Sequence, residues 1–103
     1  MAAEQILQYL NATRRLCLKF NLPTLNGPTV HAATDAAFAD APGCRSSQGL
    51  VIFLHSSPVI WQAHYQPTVA SSTTEAELTT LSTSVKELIA FQRLLHQLKV
   101  LPN

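Results

Sequence analysis

Glycine, cysteine and charge are all scarce in this chain of 103 residues. Three glycines are too few for a phosphate-cradling glycine loop. Two cysteines, Cys17 and Cys44, make neither a disulfide framework nor a four-ligand zinc site. Charged residues are 13% of the chain, where about 25% is usual in soluble domains. The formal net charge of +1 gives, by charge alone, no reading of a dedicated nucleic-acid binder. Long apolar runs are missing too: stretches such as Leu50 to Leu54 fall far short of the roughly 20 residues a membrane helix needs. No apolar run follows a basic N-terminal segment, so no secretory signal is expected. The chain reads as intracellular and reduced, with no membrane partner. The glycosylation sequon Asn11-Ala12-Thr13 is then noise within a helix.

What is present is apolar. At 47% hydrophobic residues the composition argues against disorder, which needs few apolar residues and high net charge. A chain this short is one domain or a piece of one, and buries only about 60% of its unfolded surface, so the core is thin. Low charge with high apolar content implies surface that another segment or partner ought to cover.

Hydrophobic periodicity gives a coarse order of elements. Ile6, Leu7 and Leu10 recur at helical spacing between Ala2 and Ala12. Leu16, Leu18 and Phe20 alternate with Cys17 and Lys19, which is strand periodicity. Leu22-Pro23 and Asn26-Gly27-Pro28 are loop punctuation. Val30 to Ala37 reads as a second strand, with His31, Ala33 and Asp35 on one face. Ala39 to Gly43 turns the chain. Leu50 to Leu54 and Val59 to Tyr65 read as a hairpin around a turn at Ser56-Ser57-Pro58. A polar run then leads into the longest helix, with one apolar stripe of Leu78, Leu81, Val85, Leu88, Phe91, Leu95 and Leu98. The order predicts an α+β fold, a three- to four-stranded, mainly antiparallel sheet with the last helix across it.

Four features bear on chemistry. Asp35 stands in an otherwise apolar strand, where aspartate is depleted. It is either a solvent-facing residue at a strand end or a metal-ligating carboxylate held rigidly on a sheet. Thr74-Glu75-Ala76-Glu77 opens the long helix, and a capping box accounts for it through Thr74 with Glu77 or Ser72 with Glu75. Of the four histidines, no pair has the helical i, i+4 spacing of a zincin, and His55 and His64 are expected to face each other across the hairpin. Arg14, Arg15 and Lys19 read as a solvated helix end. No serine lies in a nucleophile-elbow signature.

Several stretches together resemble the ribonuclease H domain of copia-type retrotransposon polyproteins. They are Ala3 to Thr13, Thr34-Asp35-Ala36-Ala37-Phe38-Ala39-Asp40, Arg45-Ser46-Ser47-Gln48-Gly49-Leu50 and Pro58-Val59-Ile60-Trp61. The most specific is Gln66-Pro67-Thr68-Val69-Ala70-Ser71-Ser72-Thr73-Thr74-Glu75-Ala76-Glu77-Leu78. The resemblance covers nearly the whole chain in the family's order. It implies a connection segment over 1–28 and the N-terminal part of a ribonuclease H-like domain over 29–103. It also implies that Asp35 and Glu77 are catalytic, metal-holding carboxylates, which as hard oxygen ligands suit Mg²⁺ or Mn²⁺. The implied reaction is two-metal cleavage of RNA in an RNA–DNA hybrid.

The departures are specific. Ala37 replaces a family aspartate, Phe38 a tryptophan and Leu78 a tyrosine, and no carboxylate follows Glu87. Two carboxylates where the family uses four imply weak metal binding and negligible cleavage by this chain alone. A truncated ribonuclease H-like fold would leave an unpaired sheet edge, which predicts self-association or a partner. The rival expectation is a non-catalytic relic or domesticated protein acting through that edge and its helix faces.

Overall fold

A computed structural model describes residues 1–20 and 27–101. Helix α1 spans Ala2–Ala12, strand β1 Val30–Ala37, β2 Ser47–Leu54, β3 Ser57–Tyr65 and helix α2 Thr73–Gln97, with a 3-10 turn at Pro42–Cys44. The strands form one antiparallel sheet in the order β1-β2-β3. The architecture is the expected α+β, with three strands.

The central strand shows why the sheet holds. Gln48, Leu50 and Ile52 are buried while their neighbours are half-buried, so alternate residues of β2 form the face under α2. Across the ladder they meet Ala36, Thr34 and Ala32 of β1 and His64, Gln62 and Ile60 of β3. Ile52 is fully buried. The two-residue turn between β2 and β3 is His55-Ser56, with φ of 49° and 64°. Two left-handed residues in a row form the mirror-image turn whose twist matches an antiparallel hairpin. The turn is therefore not at Ser56-Ser57-Pro58. Ser57 and Pro58 belong to β3, and the register shift beside Ile52 and Phe53 accommodates Pro58, which has no N–H to donate.

Helix α2 departs from the single stripe in an instructive way. It packs chiefly over edge strand β1 and presents Ala76, Thr80 and Ser84 to the sheet, all buried. The opposing residues Ala32, Thr34 and Ala36 are small as well, so the helix sits close, and Ser84 Oγ lies 3.0 Å from Thr34 Oγ1. Leu88 and Phe91 are half-buried and Leu95 is buried, so the stripe holds over Leu88 to Leu95 but not at Leu98, which is exposed. Leu78, Leu81 and Val85 do not: they are 61%, 50% and 44% exposed. The apolar periodicity was real, but small residues won the close approach.

No strand forms over Leu16 to Phe20. The chain leaves α1 through a turn at Thr13 to Arg15, and Leu16, Leu18 and Phe20 are exposed. Alternation alone makes no strand without a neighbour to take its backbone hydrogen bonds. The expected loop residues Leu22, Pro23 and Asn26 lie outside the described residues. Among the described residues, helix α1 packs against no other element. The radius of gyration is accordingly 17.0 Å, against about 13 Å for a compact domain of this length.

Candidate functional site

The start of α2 is set by two serines and a glutamate. Ser72 is the N-cap, and its Oγ accepts from the Glu75 backbone N–H at 3.1 Å. The Glu75 carboxylate reaches back past the cap to accept from the Ser71 N–H at 2.7 Å and from the Ser71 hydroxyl. The structure thus selects Ser72 with Glu75 over Thr74 with Glu77. The Ser71 hydroxyl and then its N–H hold the Glu75 carboxyl below its ordinary range. Glu77, relieved of capping, is exposed and makes no hydrogen bond or ion pair among the described residues.

Beneath this turn lies a buried polar chain that periodicity does not reveal. Gln66, fully buried, donates through Nε2 to Ala76 O at 2.7 Å and to Thr80 Oγ1 at 2.9 Å. Its own N–H donates to Ser46 O at 2.7 Å. Thr80 Oγ1 donates its one proton to Ala76 O at 2.9 Å and lies 3.4 Å from Gln48 Oε1. Gln48 Nε2 in turn lies 2.7 Å from His64 Nε2, so the amide donates and that imidazole nitrogen accepts. His64 therefore faces Gln48, its register partner, and not His55, which occupies the turn. The local signal for this chain was weak: Gln66 before Pro67, and a threonine and serine at helical spacing in Thr80 and Ser84.

Asp35 sits on the sheet's outer strand. It alternates with Thr34, the residue that meets α2, and so belongs with His31 and Ala33 to the other face. His31 on that face stacks on Phe53, ring centroids 4.8 Å apart. Asp35 Oδ1 accepts from the Ala36 N–H at 2.9 Å, and the carboxylate is exposed. Where the β1 edge meets the first turns of α2, a concavity of about 300 Å³ is lined by Thr34, Asp35, Ala36, Glu77, Thr80 and Leu81. Asp35 and Glu77, 42 positions apart in sequence, thus border one depression. Asp35 also borders an open cleft of about 590 Å³ on the far face of the sheet.

The other acids near this region are engaged. Asp40 accepts from the Ser47 N–H at 2.8 Å and the Ser47 hydroxyl at 2.6 Å, which pull its carboxyl below the ordinary value. Among the described residues no group of three or more His, Cys, Asp or Glu side chains is placed to hold a metal ion. Asp35 and Glu77 fit a hard divalent cation only as a partial set: two exposed carboxylates, with water left to supply the remaining ligands, as Mg²⁺ commonly accepts.

Two retrotransposon proteins are similar to the chain. The retrovirus-related Pol polyprotein from transposon TNT 1-94 of Nicotiana tabacum is 36% identical over 98 residues, which is 94% of this chain and 7% of the polyprotein. A putative transposon Ty5-1 protein of Saccharomyces cerevisiae is 34% identical over 89 residues, 84% of this chain and 28% of that protein. No protein-family profile and no solved structure matches the chain. The chain is homologous to part of a retrotransposon Pol polyprotein, and these relatives support a retrotransposon origin. No described helix is long and apolar enough to cross a membrane.

Proposed function

We propose that the chain is the N-terminal part of a ribonuclease H-type domain from a copia-type retrotransposon polyprotein. Its ancestral reaction is divalent-metal cleavage of RNA in an RNA–DNA hybrid. The observation that carries this reading is that Asp35 and Glu77 both line one concavity at the β1 edge, on a chain similar to a Pol polyprotein. Asp35 and Glu77 would hold Mg²⁺ or Mn²⁺, which when bound would supply activation of water and neutralisation of charge on the phosphodiester. The chain's own part is to hold the two carboxylates on rigid supports. A sheet strand carries one, and a helix turn clamped by Gln66 and capped by Ser72 carries the other. The hybrid partner would be gripped through its backbones and 2′-hydroxyls, which asks for no base-specific contacts.

With two carboxylates, the chain alone should cleave hybrid at a negligible rate. The test is cleavage of a labelled RNA–DNA hybrid in Mg²⁺ or Mn²⁺ by the wild-type chain, Asp35→Asn and Glu77→Gln. Any activity must vanish in both variants. Cleavage that survives either substitution overturns the assignment.

A further inference from the structure

Among the described residues, two apolar surfaces stand unpartnered at the same time. One is α1, whose Ile6, Leu7 and Leu10 are all exposed and share a helix face with Ala3, while Glu4, Gln8 and Asn11 occupy the other. The second is the outer stripe of α2, Leu78, Leu81, Val85 and Ile89, which recur at spacings of three and four and point away from the sheet face. We propose that α1 of one copy packs antiparallel along this stripe on a second copy, closing a reciprocal two-fold dimer.

Length, charge and symmetry support that occupant. The 11 residues of α1 rise about 16 Å, close to the roughly 17 Å from Leu78 to Ile89. Glu75 stands at one end of the stripe and Lys86 and Arg93 towards the other, where the neighbouring Glu87 turns to the sheet side and is half-buried. Helix α1 carries Glu4 in its first turn, with Arg14 and Arg15 just past its last. The antiparallel direction alone brings opposite signs together at both ends: the arginines beside Glu75, and Glu4 beside Lys86 and Arg93. Helix α1 stands clear of its own domain, so a two-fold exchange covers both helices and both stripes at once, a low-cost route to a dimer. This pairing uses helix faces, and leaves the β1 edge out of the contact.

Sedimentation of the full chain over a concentration series tests it. The expected wild-type mass is twice the 11.2 kDa of one chain. Leu7→Glu on α1 and Val85→Glu on α2 should each give monomers that keep the sheet and α2, with at most the helical signal of the unpartnered α1 lost from the circular dichroism spectrum. As a second readout, Cys17→Ser with Cys44→Ser removes the native thiols. In that background, mixing a Leu7→Cys chain with a Val85→Cys chain should yield a disulfide-linked heterodimer. A wild-type monomer at all concentrations, whether α1 is free or folded back, overturns the proposal. So does a dimer that withstands Leu7→Glu, which would place the contact at the sheet edge.

Discussion

The side-chain amide nitrogen of Gln66 stands 2.7 Å from the carbonyl oxygen of Ala76, joining the residue after β3 to the first turn of α2. The same amide reaches Thr80 Oγ1, so one buried side chain holds both ends of the turn that carries Glu77. Gln66→Ala removes two donors from buried acceptors, and the expected loss of folding stability is about 1–3 kcal/mol. Urea unfolding of the variant checks it. A midpoint equal to wild type would mean that water takes over the amide's role.

The C-terminus of α2 offers the opposite sign of change. Lys99 has φ of 56°, its N–H donates to His96 O at 3.0 Å, and the Val100 N–H donates to Leu95 O at 2.9 Å. This is a helix-ending motif that favours glycine in the left-handed position. Lys99→Gly relieves the left-handed strain and should stabilise the chain by on the order of 1 kcal/mol, read as a rise in the thermal midpoint.

The hairpin turn carries a similar steric load, chiefly at Ser56, since His55 belongs with asparagine and aspartate to the non-glycine residues that more often adopt φ above zero. The double substitution His55→Asn with Ser56→Gly supplies the preferred pair for that turn. The expected gain is on the order of 1 kcal/mol, measured by the same unfolding transition.

Acid sensitivity follows from Asp40 and Glu75. Both carboxyls are held below their ordinary values of 3.8 and 4.5 by serine donors. A carboxyl whose pKa is depressed by folding binds more protons when unfolded. Its stabilisation is therefore present above the ordinary value and lost as pH falls through the lowered one. Ser71→Ala and Ser47→Ala should each flatten the fall of stability between about pH 5 and the acid limit, with little change in slope at pH 7. An unaltered acid limb in both variants would contradict the assignment.

Much of the fold could be read directly from residues, for physical reasons that also mark where reading fails. Strands β1, β2 and β3 came from branched and apolar runs with a period of two, which buried faces enforce. Helix α2 came from its capping serines and recurring leucines. Which face α2 buries did not, because periodicity detects apolar residues, whereas close packing over Ala32, Thr34 and Ala36 selected Ala76, Thr80 and Ser84. The alternation of Leu16, Leu18 and Phe20 looked like a strand, but a strand depends on a neighbour, which local pattern does not contain. In the candidate site, Asp35 and Glu77 were identifiable by type and motif. Their common concavity depends on how β1 and α2 pack, and the chain of Gln66, Thr80, Gln48 and His64 beneath depends on tertiary geometry alone.

In the proposed function, Asp35 and Glu77 hold one divalent cation together. Its most direct test is Mn²⁺ titration followed by amide signals of the labelled chain, because the paramagnetic ion broadens resonances near where it binds. Broadening is expected to centre on residues 34–36 and 76–81 in the wild type, and to be lost in both Asp35→Asn and Glu77→Gln. Broadening centred elsewhere, or persisting in either variant, would contradict it.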